Sequence, residues 1–374
     1  MIPVCVPFLN GNEKKYVLDA VETGWISSTG KYVSLFEEAF AKYCGVKHGI
    51  TVSNGTVALH LALVALGIEK GDEVIIPDFT MIASAFAVCY TGAIPVFIDA
   101  EKDTWNIDPN KIEEKITEKT KAIMPVHIWG HPCDMEPIWE LANNYNLKII
   151  EDSAEAHGAE YNSKKCGSLG DIAAFSFYAN KIATTGEGGM IVTNSDKLAK
   201  KCRYYKNLCF PLKGARNYQH DHIGFNYRMS NLHAAIGLAQ VEKLDEYREL
   251  RRKINQSYRR NLKDVPGLKL QTEKDYAKNV YWMNGLIVDE KKFGITRDEL
   301  VVELKKEGID TRLFFTGMHR QKSLLEYGCN CNGNYENTEW LSKSGLYLPS
   351  ASSLRVEEIV FICNKIKEIH KKNA

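Results

Sequence analysis

Apolar residues recur along the first two hundred residues in short runs, and helical spacing fills the stretches between them. The runs are short and bounded by polar or turn residues, which is typical of buried strands. Four of them lie at 93–98, 122–127, 147–150 and 173–177. Others end before Ser53, at Pro77 and at Thr193. This alternation predicts an α/β fold with a doubly wound, mainly parallel sheet flanked by helices through roughly residue 200.

The remaining chain has a different pattern. Helical spacing runs from Ala234 to Asn261, and the second half of that segment is heavily charged, as expected of an exposed connecting helix. A strand is predicted at 280–288, and helices at 297–307 and 356–371. We therefore predict two domains. They are a large domain at 1–245, which opens with an extended arm at 1–11, and a small α+β domain at 246–374.

Composition excludes several classes of protein. The 374 residues carry 48 basic and 47 acidic side chains. The net charge of +1 therefore gives no electrostatic reason to expect binding to nucleic acid or a membrane surface. No apolar run approaches the roughly 18 residues of a membrane span, and the N-terminus does not resemble a signal peptide. Ten scattered cysteines without a CxxC pair predict a reducing compartment and no metal site. We expect a soluble, cytoplasmic protein.

Lys181 is the first candidate for chemistry. It lies between the apolar run at 173–177 and a glycine-rich stretch at 186–189 that leads into the next strand. A lysine at a bend between buried strands is partly desolvated, which lowers the pKa of its ammonium, and the neutral amine can attack an aldehyde. Ser176 could offer its hydroxyl to an anion near that amine. The alternative is an ordinary solvated hairpin lysine.

Asp152 follows the strand at 147–150 and would lie at the carboxyl edge of the sheet, where open α/β sheets bind ligands. A lysine for a Schiff base and an aspartate for a pyridinium nitrogen are what pyridoxal phosphate chemistry needs. Gly55 lies where a strand passes into an apolar helix, and a helix start can bind a phosphate. Either segment alone could instead be a plain helix N-cap. Their occurrence together favours the cofactor.

Several motifs resemble those of the DegT/DnrJ/EryC1 sugar aminotransferases, within the fold-type I pyridoxal phosphate enzymes. The resemblance covers nearly the whole chain, and it implies a mostly parallel seven-stranded sheet in the large domain. The motifs are Trp25-Ile26-Ser27-Ser28, residues 52–60, Gly130-His131-Pro132-Cys133-Asp134-Met135, Glu151-Asp152-Ser153-Ala154-Glu155-Ala156, Asn180-Lys181, residues 185–190 and Asn226-Tyr227-Arg228-Met229-Ser230-Asn231.

The resemblance implies a role for each matched residue around the cofactor ring. Lys181 would bind pyridoxal 5'-phosphate covalently and then act as general base and acid. Asp152 would pair with the pyridine nitrogen and keep it protonated. Glu155, at a position where the family often has glutamine, would lie near the ring hydroxyl. The family usually places a stacking aromatic after Thr80; here Met81 stands there, and Phe79 could substitute.

The resemblance also implies phosphate and substrate contacts. Gly55, Thr56 and Ser176 would bind the cofactor phosphate. Asn226 would reach the phosphate of the neighbouring subunit, which implies a homodimer with shared active sites. The loop at 24–32 could touch a polyhydroxylated ligand or be an ordinary linker. The candidate substrate-binding residues are Trp25, Ser27, Arg312, His319 and Arg320.

The implied reaction is transamination, because relatives that remove a hydroxyl carry histidine at the position of Lys181. L-Glutamate would give its amine to the cofactor. The acceptor would be a 4-keto-6-deoxy sugar linked to a nucleoside diphosphate, with GDP as the expected nucleotide. The amino sugar that forms would be used to make a surface glycan. One alternative keeps this chemistry for a dTDP- or UDP-linked sugar or a small phosphorylated ketone. The other is a regulatory, non-catalytic relative that binds the cofactor.

Overall fold

The computed structural model describes residues 1–212, 214 and 218–373. Within this part of the chain the strands form three sheets. The strands are β1 (His48–Val52), β2 (Glu73–Pro77), β3 (Ile94–Ile98), β4 (Thr120–Ile123), β5 (Lys148–Asp152), β6 (Glu160–Tyr161), β7 (Lys164–Lys165), β8 (Ile172–Ser176), β9 (Gly189–Thr193), β10 (Leu268–Leu270), β11 (Ala277–Lys278), β12 (Asn284–Val288), β13 (Arg312–Leu313) and β14 (Gly345–Leu348).

The largest sheet has the order β1-β9-β8-β5-β4-β2-β3 among the described residues. Strands β3, β2, β4, β5 and β8 pair in parallel, and β9 runs antiparallel to both β8 and β1. The predicted α/β fold with a mostly parallel seven-stranded sheet is confirmed. Because β5 and β8 are parallel neighbours, Asp152 pairs with Ala174, and both strands end at the same edge of the sheet.

Helices cover both faces of this sheet and the outer face of the C-terminal one. They are α1 (Glu13–Glu22), α2 (Lys31–Cys44), α3 (Gly55–Leu66), α4 (Ala83–Tyr90), α5 (Met135–Asn144), α6 (Asp196–Tyr205), α7 (Asn231–Val241), α8 (Leu244–Leu262), α9 (Glu290–Phe293), α10 (Arg297–Lys306), α11 (Lys322–Tyr327), α12 (Glu336–Ser344) and α13 (Val356–Asn373). Among the described residues, no helix is long and apolar enough to cross a membrane.

The C-terminal part has its own antiparallel sheet, β10-β12-β14-β13. A core of apolar side chains from α8, α10 and α13 packs beneath it. A third sheet, β11-β6-β7, joins β11 from this part to β6 from the first part of the chain. The two parts are therefore linked by backbone hydrogen bonds as well as by side chains. The domain boundary at residue 245 stays a prediction.

Two expectations about the connecting helix are wrong. The single helix predicted from Ala234 to Asn261 is divided into α7 and α8, with Glu242 and Lys243 between them. Helix α7 packs on α1 and α2, whereas α8 packs on α13, and no glycine or proline marks the change. The charged half is also not simply exposed, because Arg251 is buried.

The strand predicted at 280–288 is shorter than expected. Strand β12 begins only at Asn284. The preceding residues form an irregular segment in which Tyr281 has φ 49°, in the left-handed region, and its N–H donates to the Asn279 side chain at 2.7 Å. This irregular segment brings Trp282 to the edge of the large sheet.

Candidate active site

A cavity of about 630 Å³ lies at the carboxyl ends of β5 and β8, beside the start of α3. Parallel strands bring the residues after their carboxyl ends to one edge, which is where α/β sheets bind ligands. Most of the residues predicted to bind the cofactor line this cavity. They are Gly55, Thr56, Met81, Asp152, Glu155, Ser176 and Lys181.

Lys181 points into this cavity and is largely buried, with 11% of its side chain exposed. Its Nζ is 3.8 Å from Oε1 of Glu155. Burial lowers the pKa of Lys181, while the carboxylates of Glu155 and Asp152 and the thiol of Cys5 oppose that shift. The alternative of a solvated hairpin lysine is therefore wrong.

Asp152 is the last residue of β5 and is buried. Its Oδ2 accepts a hydrogen bond from the Ser84 hydroxyl at 2.7 Å, and its Oδ1 accepts one from the Ala154 N–H at 3.2 Å. Burial raises the pKa of Asp152, and these two donors and the Lys181 ammonium oppose the shift. The chain continues from Asp152 into turns and the short strand β6, not into a helix, so the helix-cap alternative is wrong.

Glu155 is held in place by the backbone of Trp129. The Trp129 N–H donates to Oε2 of Glu155 at 2.7 Å. Burial raises the pKa of Glu155 to about 7, against the opposing influence of the Lys181 charge and the Trp129 N–H. Glu155 therefore changes its charge near neutral pH, directly beside the Lys181 amine.

The pH–rate profile of amine transfer is expected to lose an inflection near pH 7 when Glu155 is replaced by glutamine, since burial raises the pKa of Glu155 to about 7. Above that pH the wild-type carboxylate stabilises the Lys181 ammonium. Glutamine keeps an acceptor for the Trp129 N–H but cannot ionise, so the alkaline limb of the profile should move to lower pH. Rates measured on both sides of neutrality test this. Superimposable profiles for the two proteins would contradict it.

The start of α3, where an anion site is predicted, lines the cavity. The Asn54 side chain caps the helix by accepting from the Val57 N–H at 3.0 Å, and the first N–H groups of any helix lack intrahelical partners. A Cβ on Gly55 would lie 2.7 Å from the Cβ of Ser176, so only glycine lets the Ser176 hydroxyl approach the helix start this closely. The sheet edge and the helix start thus meet at the same cavity.

Of the two residues considered for stacking, only Met81 lies at the cavity. Met81 is 48% exposed, and its sulfur accepts a hydrogen bond from the Ala83 N–H at 3.0 Å. Phe79 is fully buried and packs edge-on against Trp129, with the ring centroids 5.7 Å apart. Phe79 therefore does not take the place of the family's aromatic residue.

Trp25, Ser27 and Asn226 lie elsewhere on the same chain. Trp25 is 57% exposed. Ser27 lines a second cavity of about 560 Å³, together with Arg228. Asn226 makes an isolated bridge with Asn207 beside that cavity. Within one chain these residues do not line the cavity around Lys181.

The three predicted substrate residues near the C-terminus also lie outside it. Arg312 is on the edge strand β13 and is exposed. His319 donates Nδ1 and Nε2 toward Asp78 and Glu339, at 2.6 and 2.8 Å, and Arg320 Nε donates to the same Glu339 at 2.6 Å. Burial lowers the pKa of His319, but the two carboxylates outweigh it and raise the pKa overall. Phosphate binding by these residues stays a prediction.

Several side chains of the site were not predicted from the sequence, among them Ser84 and three aromatic residues. Ser84 is hydrogen-bonded to Asp152, and Trp282, Phe315 and Tyr347 line the cavity on its C-terminal side. Phe315 lies in a stretch already linked to substrate, so its position offered a signal. The other aromatics occur in strand-like patterns, where an apolar side chain is usually part of the core.

A buried cluster of His127, Glu151 and Cys166 brings possible metal ligands within 4.8 Å of one another. The Glu151 carboxylate accepts hydrogen bonds from His127 Nε2 and from the backbone N–H groups of residues 167, 169 and 170, at 2.7–3.2 Å. These bonds account for the buried charge without a metal ion. The cluster fixes the turn at 167–170 next to β5.

Comparison with known proteins decides the family. The model of the DegT/DnrJ/EryC1/StrS aminotransferase family matches residues 7–367. The chain belongs to this family. The family match confirms the predicted fold type and the assignment as an aminotransferase.

Members of this aminotransferase family align with the chain over nearly its full length. GDP-perosamine synthase of Escherichia coli O157:H7 is 45% identical over 372 residues, 99% of this chain and 98% of the relative. GDP-perosamine synthase of Caulobacter vibrioides is 46% identical, with 96% and 95% covered. The crystal structure of DesI with its TDP-sugar product has a TM-score of 0.91 at 30% identity, covering 100% of this chain and 94% of that one.

Proposed function

We propose that this chain is a pyridoxal 5'-phosphate-dependent aminotransferase that transfers the amino group of L-glutamate to a GDP-linked 4-keto-6-deoxy sugar. The buried Lys181 amine, held between Glu155 and the Asp152 strand end, is the observation that carries the proposal. GDP and the sugar ketone are inferred from the two GDP-perosamine synthases, which share 45% and 46% of their aligned residues with this chain. Such a product would serve surface polysaccharide synthesis.

The residues of the cavity fit the cofactor. The glycine at position 55 opens the helix start to a phosphate, and the Ser176 hydroxyl faces it. The Asp152 carboxylate is buried and oriented by Ser84 and Ala154, and among the described residues no basic side chain is hydrogen-bonded to it, which suits a protonated ring nitrogen. When bound, the cofactor supplies an aldehyde for amine exchange and a ring that accepts electrons.

Different side chains of the cavity would have separate roles in the proposed reaction. Lys181 would move a proton between the substrate carbon and the cofactor, because burial lowers the pKa of its ammonium and so favours the neutral amine. Asp152 would hold the proton on the ring nitrogen. Trp282, Phe315 and Tyr347 would exclude water from the side of the cavity that they cover.

We also propose a homodimer with shared active sites. Asn226, Trp25 and Ser27 lie away from the cavity of their own chain, which is expected if they complete the site of a second copy. The outer face of α1 and the loop after it expose apolar side chains that a second copy would cover. They are Leu18, Val21, Trp25 and Ile26.

An absorbance spectrum of the purified protein, recorded before and after addition of L-glutamate, tests the proposal. We expect a band at the visible edge that moves to shorter wavelength when glutamate donates its amine. Addition of a GDP-linked 4-keto-6-deoxy sugar should then restore the first band, whereas dTDP- and UDP-linked keto sugars and small keto phosphates should do so more slowly.

Each alternative has its own outcome. Faster recovery with a dTDP- or UDP-linked sugar, or with a keto phosphate, would replace the GDP sugar as substrate and leave transamination in place. A stable visible band that never responds to glutamate would indicate the regulatory, non-catalytic protein. Absence of any band after added pyridoxal 5'-phosphate would contradict the cofactor assignment.

A further inference from the structure

The indole ring of Trp282 lies against the amine of Lys181. The Lys181 Nζ is 3.7 Å from the centroid of the ring, well inside the distance at which an ammonium is attracted to an aromatic face. Trp282 is 3% exposed and lines the cavity beside Lys181. The ring of Trp282 therefore forms the part of the cavity wall that contacts Lys181.

Trp282 is held rigidly by hydrogen bonds from all of its polar groups. Its backbone N–H donates to the carbonyl of Trp129 at 2.9 Å, and its own carbonyl accepts from Arg251 Nη1 at 3.0 Å. Its indole Nε1–H donates to the carbonyl of Asn180 at 2.8 Å. Since Asn180 directly precedes Lys181, the indole fixes the backbone of the lysine as well as touching its amine.

The same framework orients Glu155 on the Lys181 amine. Trp129 has φ 52°, a left-handed conformation that is costly for a bulky residue. In this conformation its N–H points to Glu155, at 2.7 Å, while its carbonyl receives the N–H of Trp282. One strained residue thus aligns both the carboxylate and the aromatic ring on Lys181.

We propose that Trp282 is a positioning residue for amine transfer, because its ring face holds the Lys181 amine in place whenever that amine is not bonded to the cofactor. The inference deepens the proposed function and rests on it. Trp282 acts through Lys181: by confining the amine to one direction, the ring keeps it aimed at the carbon whose proton it moves. Misplacement of such a group by about 1 Å can cost a factor of about a hundred.

The charge of the lysine gives the contact a measurable consequence. In the part of the chain that the structure describes, the titratable groups that face Lys181 are Glu155, Asp152, Cys5 and His157. The two carboxylates stabilise the Lys181 ammonium, whereas burial destabilises it. The ring of Trp282 also stabilises the ammonium and so raises the pKa of Lys181. Removal of the ring should therefore lower the pKa of Lys181 without changing any of these four groups.

The experiment compares Trp282→Leu, which removes the ring, with Trp282→Phe, which keeps an aromatic face and loses the indole N–H. Trp139→Leu is the matched control, because the Trp139 Nε1–H donates to the Leu169 carbonyl at 2.7 Å and Lys164 Nζ is 5.8 Å from its ring, outside the cavity. If Trp282→Leu does not fold, Trp282→Met takes its place. Competitive acetylation of the full-length, cofactor-free chain across pH, quantified for Lys181 by mass spectrometry, gives the pKa of its amine.

We expect the pKa of Lys181 to fall by about half a unit to one unit in Trp282→Leu. The fall should be smaller in Trp282→Phe, and Trp139→Leu should match the wild type. An unchanged pKa in Trp282→Leu would overturn the proposal. An equal fall in the leucine and phenylalanine variants would also overturn it, because the bond to Asn180 would then be responsible instead of the ring face.

Kinetics of the holoenzyme separate positioning from simple packing. In Trp282→Leu we expect kcat to fall roughly tenfold to a hundredfold while KM for glutamate changes by less than about threefold. A rise in KM with unchanged kcat would contradict positioning. Failure of the wild type to transfer an amine would remove the proposed function, whereas an active wild type with an unaffected Lys181 pKa in the variants would remove this inference alone.

Discussion

Replacement of Lys181 by alanine is expected to lower turnover by a factor on the order of ten thousand or more. Among the described residues, Lys181 is the basic side chain that lines the cavity, between Glu155 and Trp282, so under the proposed function its loss removes both the covalent attachment point and the proton carrier. The measurement is the rate of amine transfer from glutamate in a single turnover. Turnover near the wild-type rate would end the proposed mechanism.

Lys181→Arg is the control for charge. Arginine keeps a cation near Glu155 and the ring of Trp282 but cannot lose its proton, so it cannot serve as a nucleophile or a base. We expect it to be as inactive as the alanine variant and to retain more of the wild-type thermal stability. An active arginine variant would show that only the positive charge is needed.

Replacement of Asp152 by asparagine is expected to lower the rate by on the order of a thousandfold. Asparagine has nearly the same shape and still offers an oxygen to the Ser84 hydroxyl, which now donates to Asp152 Oδ2 at 2.7 Å. The negative charge that would keep a proton on the ring nitrogen is lost. The single-turnover rate with glutamate and the cofactor content of the protein should be measured together, because the expected loss is in rate rather than in occupancy.

Asp99→Asn is the matched control for removing a buried carboxylate. Asp99 is buried, accepts hydrogen bonds from Lys111 at 3.1 Å and from the Thr338 N–H at 2.9 Å, and lies outside the cavity. We expect it to lose stability and retain amine transfer. A loss of only a few-fold for Asp152→Asn, or an equal loss for both variants, would exclude Asp152 from the proposed role.

The fold could be predicted because its pattern is local. Strands β2, β3, β4, β5 and β8 of the large sheet are short apolar runs that pair in parallel, and the rule that parallel strands present their carboxyl ends at one edge brings Asp152, Ser176 and Lys181 together. The expected anion site at Gly55 follows from the same rule, since α3 starts where β1 ends.

The parts that could not be predicted depend on contacts between distant segments. Trp282 occurs in a strand-like run and would ordinarily be core, but the left-handed turn at Tyr281 redirects it to Lys181. Arg251 looks like a solvated helix charge, yet its guanidinium is bound to the carbonyls of Trp282 and Ser350. Neither arrangement leaves a signal in the spacing of apolar residues.

The cavity is lined by residues from two parts of the chain, and this has a consequence for how the substrate of such an enzyme can change. Lys181, Asp152 and Gly55 come from the strands of the large sheet and the segments that follow them, whereas Phe315 and Tyr347 come from the C-terminal part. Under the proposed function, changes at these two aromatics can alter which ketone is accepted while the amine chemistry is inherited intact. A library for new acceptors should therefore vary Phe315 and Tyr347 and leave Trp282 unchanged, because the Trp282 ring lies against the Lys181 amine.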